Sequence, residues 1–240
     1  MKAVFIIFIC LFFFNIPVFS ETEFKTKHEF SYGAEIDLSR KGKIEEFSYA
    51  MRYDFTLPEF STVLGVKTGS DSISTTIHGT YLPLRLKSLS LGVQTLYNAN
   101  LFTEYCIENN FLLGTRLITG KLNKVLLSLD ISYLLKLTDF YKFKNTHLII
   151  DNTLALSLML ESIIKNKVLL SFKISSYGIY AYPLFFTPMF ELKTTWFMKH
   201  GIRLNSFIAV KYSDMFTLTS YLSNIMMGVS ITFKIPNKEA

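Results

Sequence analysis

The stretch from residue 47 to residue 57 constrains the possible fold more than any other part of the chain. Its odd positions, from Phe47 to Leu57, are all apolar or aromatic, whereas its even positions, among them Arg52 and Asp54, are small, polar or charged. On a helix these odd side chains would be scattered around the axis, but on a strand they all stand on one face. The stretch therefore predicts a strand with one apolar face and one polar face.

Similar alternation recurs along the rest of the chain, often over ten or more residues. The connections between runs alternate between short and mostly longer ones, which is typical of an up-and-down antiparallel meander. We count twelve runs, with ten or fourteen as alternatives, at residues 30–39, 47–57, 62–68, 73–81, 89–99, 105–117, 125–137, 148–161, 168–175, 190–199, 203–212 and 227–235. The leucine-rich run at 148–161 would also suit a helix, but its alternation and its neighbours favour a strand.

An internal repeat supports this count. The segment Asn123–Ser132 reappears with few changes as Asn166–Ser175. If each strand and its connection take about half of the offset, the repeated unit is a hairpin, and both copies begin at the same end of the molecule.

The first twenty residues have the features of a secretory signal peptide. Lys2 precedes an apolar run at 3–14, and the segment ends at Val18-Phe19-Ser20, with modest or small side chains at the expected cleavage positions. The alternative is an uncleaved anchor, but the run is shorter than the roughly 20 apolar residues of a spanning helix. We therefore expect a signal peptide at 1–20 and a single β-barrel domain at 21–240.

The length of the alternating runs favours a membrane barrel over a soluble sandwich. Strands of soluble sandwiches are typically about 5 to 6 residues long, whereas a tilted strand needs roughly 9 to 11 residues to cross a bilayer. In lipid an open sheet edge would leave backbone groups without partners, so such strands must close into a barrel. The net charge of +6 is too diffuse to indicate nucleic-acid binding.

In this pattern, residues 21–240 resemble bacterial outer-membrane β-barrel proteins of the porin-like class. In that class the last strand ends near an aromatic residue that the assembly machinery recognises, and Phe233 lies close to that place. The resemblance implies export to the bacterial outer membrane, with outer-membrane lipid and the assembly machinery as partners. It also implies that the short turns are periplasmic and that the loops near 138–146, 182–189 and 213–224 are extracellular.

The phase of the alternation predicts which polar side chains point into the barrel. A twelve-stranded barrel is wider than the eight-stranded type and narrower than the large porins, so the interior suits a narrow, charge-lined channel for small polar solutes. In the alternative, the charges pair across the lumen and leave a non-conducting barrel with a structural or surface-interaction (adhesion) role. The candidate pore-lining residues are Glu35, Asp37, Arg52, Asp54, His78, Gln94, Glu108, Arg116, Asp130, Lys136, Lys173, Glu191, Lys193, Arg203 and Lys211.

Acidic members of this set concentrate in the early strands and basic ones in the late strands, which predicts a transverse field across the lumen. No motif for catalysis or metal binding accompanies the four histidines, and only Cys106 remains after cleavage at residue 20. We therefore expect neither an enzyme nor a cofactor.

Overall fold

A computed structural model describes residues 26–39, 41, 43–86, 89–102, 106–121, 124–140, 147–176, 189–212 and 222–235. The predicted signal peptide and the last five residues lie outside this described part. The strands are β1 (Lys27–Ser39), β2 (Ile44–Thr56), β3 (Phe60–Thr68), β4 (Ser72–Arg85), β5 (Leu89–Phe102), β6 (Cys106–Lys121), β7 (Val125–Phe140), β8 (His147–Ile164), β9 (Val168–Ser175), β10 (Met189–Phe197), β11 (Ile202–Tyr212) and β12 (Leu222–Ile235).

The strands form one closed antiparallel barrel in which each strand pairs with its neighbours in the sequence. The ring closes where β1 pairs with β12, in a register that runs from His28 opposite Ile235 to Ser39 opposite Asn224. The prediction of a twelve-stranded up-and-down barrel is confirmed, and the run at 148–161 is a strand. Closure gives every strand two neighbours, so the sheet has no free edge.

The two faces of the barrel differ as the alternation predicts. On β2 the side chains of Tyr49 and Met51 point outward and are each 47% exposed, whereas Ser48, which precedes Tyr49, points inward and is 1% exposed. Exposed apolar side chains continue around the outside of the barrel, as at Tyr133 on β7 and Val229 on β12. The apolar face is therefore the outer surface.

The five connections at the end of the barrel where β1 begins and β12 ends are three or four residues long. At the other end the connections 40–43, 69–71 and 103–105 are equally short, so the predicted alternation of short and longer connections holds only from β6 onward. The turn between β8 and β9 has positive φ at Lys165 (49°) and Asn166 (54°), and the Lys167 N–H donates to the Ile164 carbonyl at 3.0 Å. Two successive positive φ angles characterise a tight hairpin turn whose twist matches that of the strands. The repeated segments start β7 and β9 at this same end, as predicted.

Several strands continue beyond the runs of alternation, because the hydrogen-bonded ladder extends past the apolar band. Residues 138–140, 189 and 222–224 belong to strands, so the predicted loops at 138–146, 182–189 and 213–224 are shorter than expected, and their remaining residues lie outside the described part of the chain. The ladder between β4 and β5 shifts between Tyr81 and Leu84. Pro83 lies within this shift, and it has no N–H to donate to a ladder.

The described part contains one short helical turn, Lys199–Gly201, between β10 and β11. None of the described helical residues forms a helix that is long and apolar enough to cross a membrane.

Candidate functional site

The inward faces of the strands surround a central cavity of about 600 Å³. Side chains or backbone of every strand except β8 line it. Eleven of its lining residues are ionisable carboxylates, lysines or arginines: Glu29, Glu35, Arg52, Asp54, Lys67, Arg116, Asp130, Lys173, Glu191, Lys193 and Arg203. The cavity is the barrel lumen, and its wall carries six basic and five acidic groups.

On the β6–β7 wall Arg116 and Asp130 form a two-pronged ion pair. These residues lie directly opposite each other in the ladder, and the guanidinium donates from Nε to Oδ1 at 2.8 Å and from Nη2 to Oδ2 at 2.9 Å. Nη1 reaches the hydroxyl of Thr80 on β4 at 3.3 Å. Parallel hydrogen bonds of this kind fix the planar guanidinium in one orientation. The Arg116 guanidinium is therefore held against this part of the wall.

Closure of the ring places late strands beside the first strand, and this changes the predicted distribution of charge. Glu29 on β1 pairs with Arg203 on β11, and Glu35 on β1 pairs with Lys67 on β3, with Nζ 2.8 Å from Oε2. Charges that are far apart in the sequence are thus in contact. These contacts reduce the field that the separated charges would otherwise produce, because opposite charges at such distances cancel at longer range.

Arg52 and Asp54 face the cavity from successive inward positions of β2. The Nη2 of Arg52 lies 2.6 Å from Oδ1 of Asp54, and Nε donates to both carboxylate oxygens, at 2.9 and 2.8 Å. The Arg52 side chain is nevertheless 50% exposed, the largest fraction among the described ion-paired side chains. His78 on β4 interacts electrostatically with Arg52, Arg116 and Lys173, so it belongs to the same group of charges.

A second polar group lies toward the opposite end of the barrel, where β1 ends and β12 begins, which we call the loop end. Glu108 on β6 pairs with Lys136 on β7 and accepts hydrogen bonds from Asn110 at 2.7 Å and Asn100 at 3.2 Å. All of these side chains are buried or nearly so. Because the carboxylate has several donors around it, the group is well satisfied despite its burial.

Near the closure, Lys211 on β11 lies 3.9 Å from Asp37 on β1, and Asn224 donates to Asp37 at 3.2 Å. Lys211 is 2% exposed. Contacts between charged or polar side chains of β1, β11 and β12 therefore continue to the loop end of the barrel.

The structure brings most of the predicted residues together. Eleven of the fifteen candidates line the central cavity: Glu35, Arg52, Asp54, His78, Gln94, Arg116, Asp130, Lys173, Glu191, Lys193 and Arg203. The other four, Asp37, Glu108, Lys136 and Lys211, form the two groups near the loop end described above. That either set lines a conducting path remains a proposal.

The sequence reasoning missed that part of the inward surface is apolar. Inward positions hold two clusters, which we name the leucine wall (Leu96, Leu112, Leu134 and Ala155, on β5 to β8) and the methionine wall (Met189, Phe207, Ala209 and Met226, on β10 to β12). The signal was readable, because these residues interrupt the polar phase of their strands. The ring of Phe207 lies over Gly228, its direct ladder partner, where an added Cβ would be only 2.3 Å from Cε1.

Within the described residues, no group of three or more histidine, cysteine, aspartate or glutamate side chains is arranged to hold a metal ion. Cys106 is buried at the start of β6 and forms no disulfide bond with a described residue. The chemistry that this interior can perform is therefore recognition by charge, hydrogen bonding and apolar contact.

No family model matches the sequence, and no curated protein matches it either. Several solved barrels match the structure. The NanC porin superposes with a TM-score of 0.63 at 8% identity, covering 86% of this chain and 100% of that one. The fold is that of a porin-like outer-membrane β-barrel.

Two further structures extend the comparison. The KdgM porin in complex with disordered oligogalacturonate gives a TM-score of 0.59 at 9% identity, over 87% of this chain and 99% of that one. The translocator domain of the autotransporter NalP from Neisseria meningitidis gives 0.52 at 10% identity, over 90% of each chain. Porins and a translocator thus share this fold, so the choice between functions depends on the interior of the barrel.

Proposed function

We propose that this chain is an outer-membrane β-barrel that forms a narrow, charge-lined channel for small polar solutes. The membrane part of the proposal is supported by the outer surface of the barrel. Apolar side chains that are about half exposed, such as Tyr32, Ile77 and Leu154, occur all around it. Soluble monomers rarely expose contiguous apolar patches larger than a few hundred Å². A lipid environment accounts for such a surface without any unfavourable exposure to water.

The single observation that supports a channel is the central cavity of about 600 Å³ with its ionised lining. A polar interior behind an apolar exterior is the usual arrangement in outer-membrane barrels. The KdgM porin, which is similar in fold, is in complex with oligogalacturonate. That solute is polar, and we take the solute class of this chain to be small and polar as well.

The same proposal includes export through the signal peptide at residues 1–20, insertion by the outer-membrane assembly machinery, and no enzymatic activity. The short turns would then face the periplasm and the longer connections the cell exterior.

One observation favours a second candidate, a non-conducting barrel with a structural or surface-interaction role. Ion pairs lie along the lumen wall: Arg116–Asp130 joins the adjacent strands β6 and β7, and Glu35–Lys67 joins β1 and β3 across β2. If side chains fill the lumen in this way, solutes would not pass. We favour the channel because a cavity of about 600 Å³ lies among these pairs.

Solute flux separates the two candidates. Purified protein is refolded in detergent and inserted into liposomes. Folding is checked by gel electrophoresis, in which the unheated, folded protein migrates faster than the boiled protein. In an osmotic swelling assay the channel predicts uptake that is fast for small polar solutes such as glycine and falls steeply with solute size. Swelling no faster than that of protein-free liposomes, for correctly inserted protein, would favour the non-conducting barrel.

A further inference from the structure

Two apolar walls face each other across the lumen of this barrel. Leu96 on β5 and Phe207 on β11 both line the central cavity, and these strands are six positions apart in a ring of twelve, with five strands between them on either side. The same separation holds between Leu112 on β6 and Met226 on β12. The part of the leucine wall that lines the cavity, Leu96 and Leu112, therefore lies opposite the methionine wall.

Apolar side chains are costly in a water-filled lumen, where the usual interior is polar. Their clustering on two walls, and the packing of Phe207 over Gly228, indicate a built feature of the lumen. Apolar residues on the inner face are not required for the barrel to fold. Such a departure from the usual pattern is typical of a functional site.

Charged side chains lie on the wall between the two apolar clusters. Arg52 on β2 faces the cavity with half of its side chain exposed, and its partner Asp54 is only 16% exposed. Basic groups outnumber acidic ones by six to five in the cavity lining. The most accessible charge on this wall is thus a guanidinium, which binds carboxylates well.

We propose that the lumen binds small amphipathic organic anions, whose apolar body lies between the leucine and methionine walls while the carboxylate contacts Arg52. This inference rests on the proposed channel and narrows its solute class. A cavity of this volume is of the size that encloses a small organic ligand. A fully hydroxylated anion of the same length would lose hydrogen bonds to water at both apolar walls and would bind less well.

The test uses single-channel currents in planar bilayers with KCl, to which potassium hexanoate or potassium gluconate is added. Both are six-carbon carboxylates with one negative charge, so they differ mainly in hydroxylation. We expect hexanoate to interrupt the current at a concentration about tenfold lower than gluconate, the factor that burial of about two methylene groups provides.

Leu96→Asn replaces an apolar side chain by a polar one of similar size and should remove most of the tenfold preference. Leu96→Met keeps the wall apolar and should retain it. Phe207→Asn repeats the test on the opposite wall, in case the first variant does not fold. Arg52→Gln should weaken interruption by hexanoate while leaving the currents sensitive to hexanol, which has no charge.

Three results would overturn the inference. Equal potency of hexanoate and gluconate in a conducting protein would refute it and leave the channel proposal intact. So would a preference for hexanoate that both asparagine variants retain. If equal potency in the parent is accompanied by a large rise in KCl current in these variants, the two walls are a dewetting constriction instead. Absence of any KCl current would refute the channel itself and this inference with it.

Discussion

Replacing Arg52 by glutamate reverses one charge at the most exposed ion pair of the lumen. In the parent protein the guanidinium donates to the carboxylate of Asp54, and half of the side chain remains accessible from the cavity. In Arg52→Glu two carboxylates would share one face of β2. Because the position faces an open cavity, we expect the barrel to fold and its ion selectivity to change.

The size of the effect follows from the charges in the lining. Six basic and five acidic groups line the parent cavity, so the variant has five and six, and the net charge changes from +1 to −1. For an ion about 10 Å away, two unit charges in water contribute about 0.8 kcal/mol, and screening at 0.1 M salt reduces this to about 0.3 kcal/mol. Anions and cations respond in opposite directions. The ratio of chloride to potassium permeability should therefore fall about threefold at 0.1 M and about 15-fold without screening.

The assay is the reversal potential across a planar bilayer that separates two KCl concentrations. The account predicts a shift toward cation preference that grows as the mean salt concentration falls. Lys167→Glu is the matched control, because it makes the same charge change at an exposed position in the turn between β8 and β9. An unchanged permeability ratio at low salt, or an equal shift in the control, would show that Arg52 does not act on the conduction path.

Substitutions at three further sites test the packing of the barrel, each by thermal unfolding in detergent followed by the gel shift. Gly33→Ala should destabilise the closure by about 1 to 3 kcal/mol, because the added Cβ would lie 2.4 Å from a backbone oxygen of β12. Gly65→Ala is the control and should be tolerated, because the nearest atom to its added Cβ is 3.7 Å away. Arg116→Ala should lower the free energy of unfolding by about 3 kcal/mol, because it leaves the carboxylate of Asp130 buried without its partner. The double variant with Asp130→Ala should recover part of that loss. Equal stability of the single and the double variant would contradict a coupled pair. Gly228→Ala should displace the aromatic ring that covers it and lower the unfolding temperature; a variant as stable as the parent would show that the ring does not depend on this glycine.

The sequence was sufficient to predict the strands and their faces. Alternation of period two depends only on the pleat of a strand, so the outward position of Tyr49 and the inward position of Ser48 follow from local geometry. The closed barrel followed from the need of every strand edge for a partner. The alternation also predicted the inward position of polar side chains such as Arg52 on β2, His78 on β4 and Arg116 on β6.

Contacts across the closure could not be predicted in this way. Whether Arg203 reaches Glu29 depends on the register between β11, β12 and β1, and register is set by the whole ring. The apolar walls were missed for another reason. Most inward residues of these strands are polar, so single apolar residues such as Leu112 and Phe207 do not change the predicted polarity of the face. Their clustering on two sides of the cavity is visible only in the folded barrel.

The central claim is that this barrel is an open, narrow channel, and single-channel recording tests it most directly. Refolded protein that shows the gel shift is added to a planar bilayer in KCl. The account predicts reproducible unitary current steps that are absent from lipid alone and from boiled protein. Protein that is folded and inserted, and yet gives no steps above the lipid background, would contradict the channel and leave a non-conducting barrel.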